Sequence, residues 1–74
     1  MKHVEIEWED ANILHGWQGE PDCPLATSKE SGWIWYEDID KVIIVRGYSA
    51  YGLYNSPMAI PRGCIKSIKE LRVK

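Results

Sequence analysis

The chain lacks phenylalanine altogether, holds only two cysteines and two methionines, and has no apolar run longer than four residues. Each scarcity closes off a class. A helix that crosses a bilayer needs about 20 apolar residues, and no segment approaches that, so no membrane association is expected. The opening MKHVEIEWED has no apolar h-region, which predicts a cytoplasmic protein with both thiols reduced. Cys23 and Cys64 stand 41 positions apart, unlike the tight spacings of a disulfide-stapled scaffold. With His3 and His15 they are the only soft metal ligands, and they form neither a CxxC nor an HxxxH pair, so no metal site is expected. Catalytic patterns are equally scarce. Ser28 or Cys23 with His15 would have to build a triad inside one loop, and no nucleophile elbow occurs. Gly47 and Gly52 lack the further glycine that a nucleotide loop requires. Glu5, Glu7 and Glu9 read as one solvated strand face. The expectation is a protein that is not an enzyme and uses no cofactor.

What the chain does have is tryptophan and tyrosine, four of each: Trp8, Trp17, Trp33, Trp35, Tyr36, Tyr48, Tyr51 and Tyr54. A chain of 74 residues makes one domain, 1–74, and buries only about 60% of its unfolded surface. Trp and Tyr need a partner for their polar atom when buried. So small a core does not take in all eight, and some are expected at an interface, in a pocket, or between copies of a homo-oligomer.

Net charge is −2, unevenly spread: residues 1–40 hold ten acids and two bases, residues 41–74 seven bases and one acid. Two readings follow. The halves lie on adjacent strands and neutralise each other, or the second half presents a basic face to phosphate or an acidic partner. The negative total argues against general nucleic-acid binding.

Val4, Ile6 and Trp8 alternate with Glu5, Glu7 and Glu9, which predicts a first strand over 3–9. Gly16, Gly19, Pro21 and Pro24 make 10–31 a loop, and Ile13, Leu14, Trp17 and Leu25 predict that it folds back on the body. A second strand is expected at 32–38, a hairpin turn at 37–40, and a third strand from Lys41 through VIIV to Tyr48. The fourth covers Leu53–Tyr54 and Met58–Ile60, with Asn55-Ser56-Pro57 as a kink. Residues 61–64 form a tight or 3₁₀ turn, and 65–73 the last strand. Ile65, Ile68 and Leu71 recur every three residues and also suit a short helix; strand is preferred because four short strands would lack a closing partner. The predicted fold class is all-β, a small five-stranded SH3-like or Sm-like barrel with one 3₁₀ turn before the last strand.

Glu7-Trp8-Glu9-Asp10-Ala11, Gly16-Trp17, Ser31-Gly32-Trp33 and the tail Ile60-Pro61-Arg62-Gly63-Cys64-Ile65 through Leu71 carry a resemblance. The chain resembles a set of short, largely uncharacterised phage and prophage proteins with an acidic EWEDA-type first strand and an IPRG-x-[IV]-x-x-I-x-x-L tail. That resemblance implies a phage-encoded accessory protein in a bacterial cytoplasm, acting against host defence by binding. It implies no catalytic residues.

Residues 47–57, GYSAYGLYNSP, concentrate the recognition chemistry. Tyr, Ser, Gly and Asn together compose adaptable binding loops. Arg46 and Arg62 flank the tract, and an arginine fork suits phosphate. The candidate ligand-binding residues are therefore Trp17, Arg46, Tyr48, Tyr51, Tyr54, Asn55 and Arg62, for a small nucleotide-like ligand stacked on aromatics. The alternative is a host protein bound through the acidic or aromatic surface. Within the tract, Tyr48 is expected to extend the core or an interface, while Tyr51 is expected to be exposed. Trp33 and Trp35, which share parity, are expected in the core.

Overall fold

The computed structural model describes residues 1–12 and 14–72. All regular structure among them is β, apart from one 3₁₀ turn. The strands are β1 (His3–Asp10), β2 (Ala26–Glu37), β3 (Lys41–Val45), β4 (Gly47–Tyr48), β5 (Tyr54–Asn55), β6 (Met58–Pro61) and β7 (Ile65–Glu70), with the 3₁₀ turn at Arg62–Cys64. Five form one antiparallel sheet in the order β6-β3-β2-β1-β7; β4 and β5 form a separate two-stranded ribbon. No helix among the described residues is long and apolar enough to cross a membrane.

The alternation in β1 works as predicted. Val4 and Ile6 are buried, and Trp8 packs against the same cluster with Val42, Ile44 and Ile60. Ile34 and Ile65 complete it from β2 and β7. At about 1.5–3 kcal/mol per buried aliphatic side chain, this small cluster is the main favourable term in folding.

β2 serves two ladders. Residues 26–33 pair with β1, whereas 33–37 pair with β3, so the ladders overlap at Trp33, and the Ile34 N–H also donates to the Lys2 carbonyl at 2.9 Å. Gly32 is buried where they meet: a Cβ there would lie 2.7 Å from the Val45 carbonyl oxygen. Past it, Trp35 is an extra residue between the pairs Ile34↔Ile44 and Tyr36↔Ile43. Such a bulge re-aims side chains and adds twist.

The β2–β3 turn is tied by one carboxylate. Asp38 Oδ1 accepts the backbone N–H groups of Asp40 (2.8 Å) and Lys41 (2.9 Å), and Oδ2 accepts the Tyr36 hydroxyl (3.0 Å). These bonds hold the Asp38 carboxyl below its usual pKa and raise that of the Tyr36 phenol. The 3₁₀ turn docks on the same place. The Arg62 backbone N–H donates to the Asp40 carbonyl, its Nε to the Asp38 carbonyl and its Nη2 to Glu37 Oε1, each at 2.9 Å.

Several sequence expectations are corrected. β2 begins at Ala26, six residues before the predicted start, because Ala26–Gly32 takes the ladder that β1 offers. The connection is therefore 11–25, and it does not fold back: Leu14, Leu25 and Trp17 are exposed, Trp17 fully. Ile13 lies outside the described residues. The third strand breaks at Arg46 into β3 and β4, and the fourth is two pieces, β5 and β6, without Leu53. β7 is a strand as far as Glu70, and Val73, the expected end, lies outside the described residues. The sheet does not close as a barrel, since β6 and β7 are both edges of an open order.

The charge asymmetry resolves as neutralisation. Glu7 lies 3.7 Å from both Lys29 on β2 and Lys66 on β7, Lys66 also reaches Glu9 at 4.0 Å, and Glu5 stands opposite Lys69. Each exposed pair contributes about 0–1 kcal/mol.

Candidate functional site

The tract 47–57 is ordered, despite its glycines. β4 and β5 pair Gly47 with Asn55 and Tyr48 with Tyr54. Ser49 closes the turn between them. Its Oγ accepts the N–H groups of Tyr51 (3.2 Å) and Leu53 (3.3 Å), and its own N–H donates to the Leu53 carbonyl (2.9 Å). Gly52 supplies the left-handed backbone the turn requires, at φ 79°. Ser56 also adopts positive φ (53°), and its hydroxyl donates to Asn55 Oδ1 at 2.8 Å.

The ribbon rests on the tryptophans. Tyr54 stacks on Trp35 at 4.3 Å between centroids and 16° between planes. Tyr48 meets Trp33 edge-on at 5.9 Å, and His3 stacks on the same indole at 4.4 Å. Trp33 and Trp35 therefore do not enter the core, contrary to expectation. Gly32 and Ile34 occupy the inward positions of β2, so the tryptophans fall on the outer face, and the bulge delivers Trp35 to Tyr54. Tyr48 likewise does not join the core that VIIV begins; it is 54% exposed.

On the ribbon lies an open hollow of ≈ 460 Å³, lined by Gly47, Tyr48, Ser49, Leu53, Tyr54 and Asn55. No tryptophan lines it.

Of the seven predicted residues, the fold gathers three here: Tyr48, Tyr54 and Asn55. Tyr51 stands at the turn tip, 91% exposed, beside Leu53 at 71%. Arg46 lines a narrow crevice with Glu30, Ser31 and Ser56 instead. Arg62 is committed to Glu37 and Asp38. Trp17 belongs to the connection beyond Asp10 and Ala26, whereas the Trp33 cluster sits at the His3 end of β1. Seven residue steps of strand separate those ends, about 23 Å.

Sequence reasoning missed Ser49 and Leu53 as lining residues, and Trp33, Trp35 and His3 as supports. The parity of the two tryptophans with each other was visible; which face they took was not.

Chemically, the site offers aromatic faces, one side-chain amide and backbone polar groups, with no cation in its lining. Among the described residues no three of His, Cys, Asp and Glu gather as metal ligands. The chain matches no family model, no curated protein and no solved structure.

Proposed function

We propose that this is a non-catalytic binding protein that takes its partner on the tyrosine ribbon. The observation that carries the reading is the hollow lined by Tyr48, Tyr54 and Asn55, whose two tyrosine rings also contact Trp33 and Trp35. The partner class is a small, base-bearing, nucleotide-like ligand. Stacking on a tyrosine contributes ~1–3 kcal/mol per base, and the Asn55 amide reads a base edge. Recognition then rests on the base more than on phosphate, since neither Arg46 nor Arg62 lines the hollow. The resemblance to short phage proteins supplies the biological frame: a phage-encoded, cytoplasmic, homo-oligomeric protein that counters host defence by sequestering a nucleotide signal. An SH3-like plan fits this reading, supported by the order β6-β3-β2-β1-β7 and the 3₁₀ turn before the last strand.

The second reading is a module that inhibits a host protein. The exposure of Tyr51 and Leu53 at the ribbon tip favours it. The version that presents the middle of the acidic strand is disfavoured, because Glu7 lies between Lys29 and Lys66.

Thermal melting against linear and cyclic nucleotides and ADP-ribose derivatives tests the first reading. A ligand at 100 times its Kd adds about 2.7 kcal/mol, a shift of several degrees for a domain this small. The shift should vanish in Tyr48→Ala and Tyr54→Ala variants and persist in Arg62→Lys. No shift with any compound from folded protein would rule out the nucleotide reading.

A further inference from the structure

The open sheet leaves a seam. β6 pairs with β3 along one edge and, among the described residues, has no strand on the other. Across from it, β1 outruns β7: their pairing ends at Trp8↔Ile65, so Glu9 and Asp10 have no paired strand on that side. Between the two lies a groove of ≈ 290 Å³, walled by Trp8, Glu9 and Asp10 on one side and by Met58–Pro61 on the other, with Cys64 at the 3₁₀ turn. All four consecutive residues of β6 reach it. Alternate residues of a strand point to opposite faces, so a groove that meets all four runs along the strand's edge, where unpaired N–H and C=O groups lie.

The two edges of the sheet are guarded differently. β7 carries Lys66 and Lys69, the kind of side chain that deters an added strand. β6 reads Met-Ala-Ile-Pro: it carries no charge, and its one guard is the terminal Pro61, which lacks an N–H and leaves Met58–Ile60 to accept a strand. The rim facing it is acidic. Glu9 has only Lys66 at 4.0 Å, shared with Glu7, and the Asp10 carboxylate accepts the Ala11 N–H.

We propose that this seam is a docking slot for an extended, basic segment of another protein. The segment adds to the free edge of β6, sets small apolar side chains against Trp8 and Met58, and places Lys or Arg against Glu9 and Asp10. Charge disfavours the chain's own connection as the occupant. The chain's own 11–25 connection, whether from the same molecule or a second copy, carries Glu20 and Asp22 with no Lys or Arg, and would meet the rim with like charge. A bound strand of four residues spans about 13 Å, the length of β6. The slot is separate from the tyrosine ribbon, so it stands or falls independently of ligand binding there.

The test uses a fluorescent, acetylated hexapeptide alternating lysine and valine, with a glutamate–valine counterpart. The lysine peptide should bind the protein at least tenfold tighter, weaken with added salt, and slow amide exchange in β6. The double variant Glu9→Lys/Asp10→Lys should invert the preference. Equal binding of both peptides, protection located outside β6, or an unchanged preference in the double variant would overturn the proposal. Should that variant not fold, salt dependence and the location of protection in the native chain decide the matter. Sedimentation of the protein alone provides the remaining arm: a dimer or larger species with β6 amides already protected would mean that a second copy fills the seam, which also overturns it.

Discussion

Replacing Gly32 with alanine isolates the close approach of β2 to β3 where the two ladders meet. The added Cβ would stand 2.7 Å from the Val45 carbonyl oxygen and 3.4 Å from the Ile44 Cβ. The nearer obstacle is backbone in a paired strand, so relief requires β2 and β3 to separate at Trp33↔Val45. Overpacking of this kind costs roughly 1–3 kcal/mol. Alanine also reduces the entropy of the unfolded chain, which offsets about 0.4–1 kcal/mol. The net loss is about 1–2 kcal/mol, and at ~4–8 °C per kcal/mol for a domain of this size the Tm should fall by roughly 5–15 °C. Circular dichroism melts, with reversibility checked, measure this. Gly63→Ala is the matched control, since a Cβ there meets nothing within 4 Å; its Tm should hold or rise slightly. Equal melting of Gly32→Ala and Gly63→Ala would refute the account of that close approach.

Arg62→Ala should destabilise by roughly 1–2 kcal/mol in denaturant titrations, since it removes charged hydrogen bonds to Asp38 and Glu37, whereas Arg46→Ala should change stability by less than about 0.5 kcal/mol. Asp38 has a depressed pKa in the fold, so its contribution is present above the ordinary aspartate value of about 3.9 and is lost as pH falls through its lower folded value. The Tm gap between the native chain and Asp38→Asn should therefore stay constant from about pH 5 to 8 and narrow below about pH 4. A double-mutant cycle on Trp35 and Tyr54 should return a coupling of about 0.5–1.5 kcal/mol, and a value near zero would mean the stack does not brace the ribbon. Tyr51→Ala, at an exposed tip, should leave the Tm unchanged and alter only partner binding.

The local code for strands was legible where one face is buried and the other wet. Val4, Ile6 and Trp8 alternate with glutamates, and period 2 leaves no other placement for them. Asp38-Ile39-Asp40 announced a turn, because an aspartate can bond the N–H groups that follow it. Pairing decided the rest. Ile65 and Ile68, three apart, look helical in sequence; the bulge at Lys66, between Trp8↔Ile65 and Glu7↔Ser67, lets Ile68 face Ile6 just as Ile65 faces Trp8. A bulge is a property of two strands in register, and one strand's sequence does not carry it. The same holds for Trp35, whose extra place in β2 sends it to Tyr54.

Composition alone established that eight large aromatics exceed what so small a core accepts. Tertiary structure decided which of them gather, because proximity in sequence is not proximity in a sheet. Trp17, drawn toward the tyrosines by composition, stands at the far end of β1, and Arg62, flanking them in sequence, is spent on the β2–β3 turn.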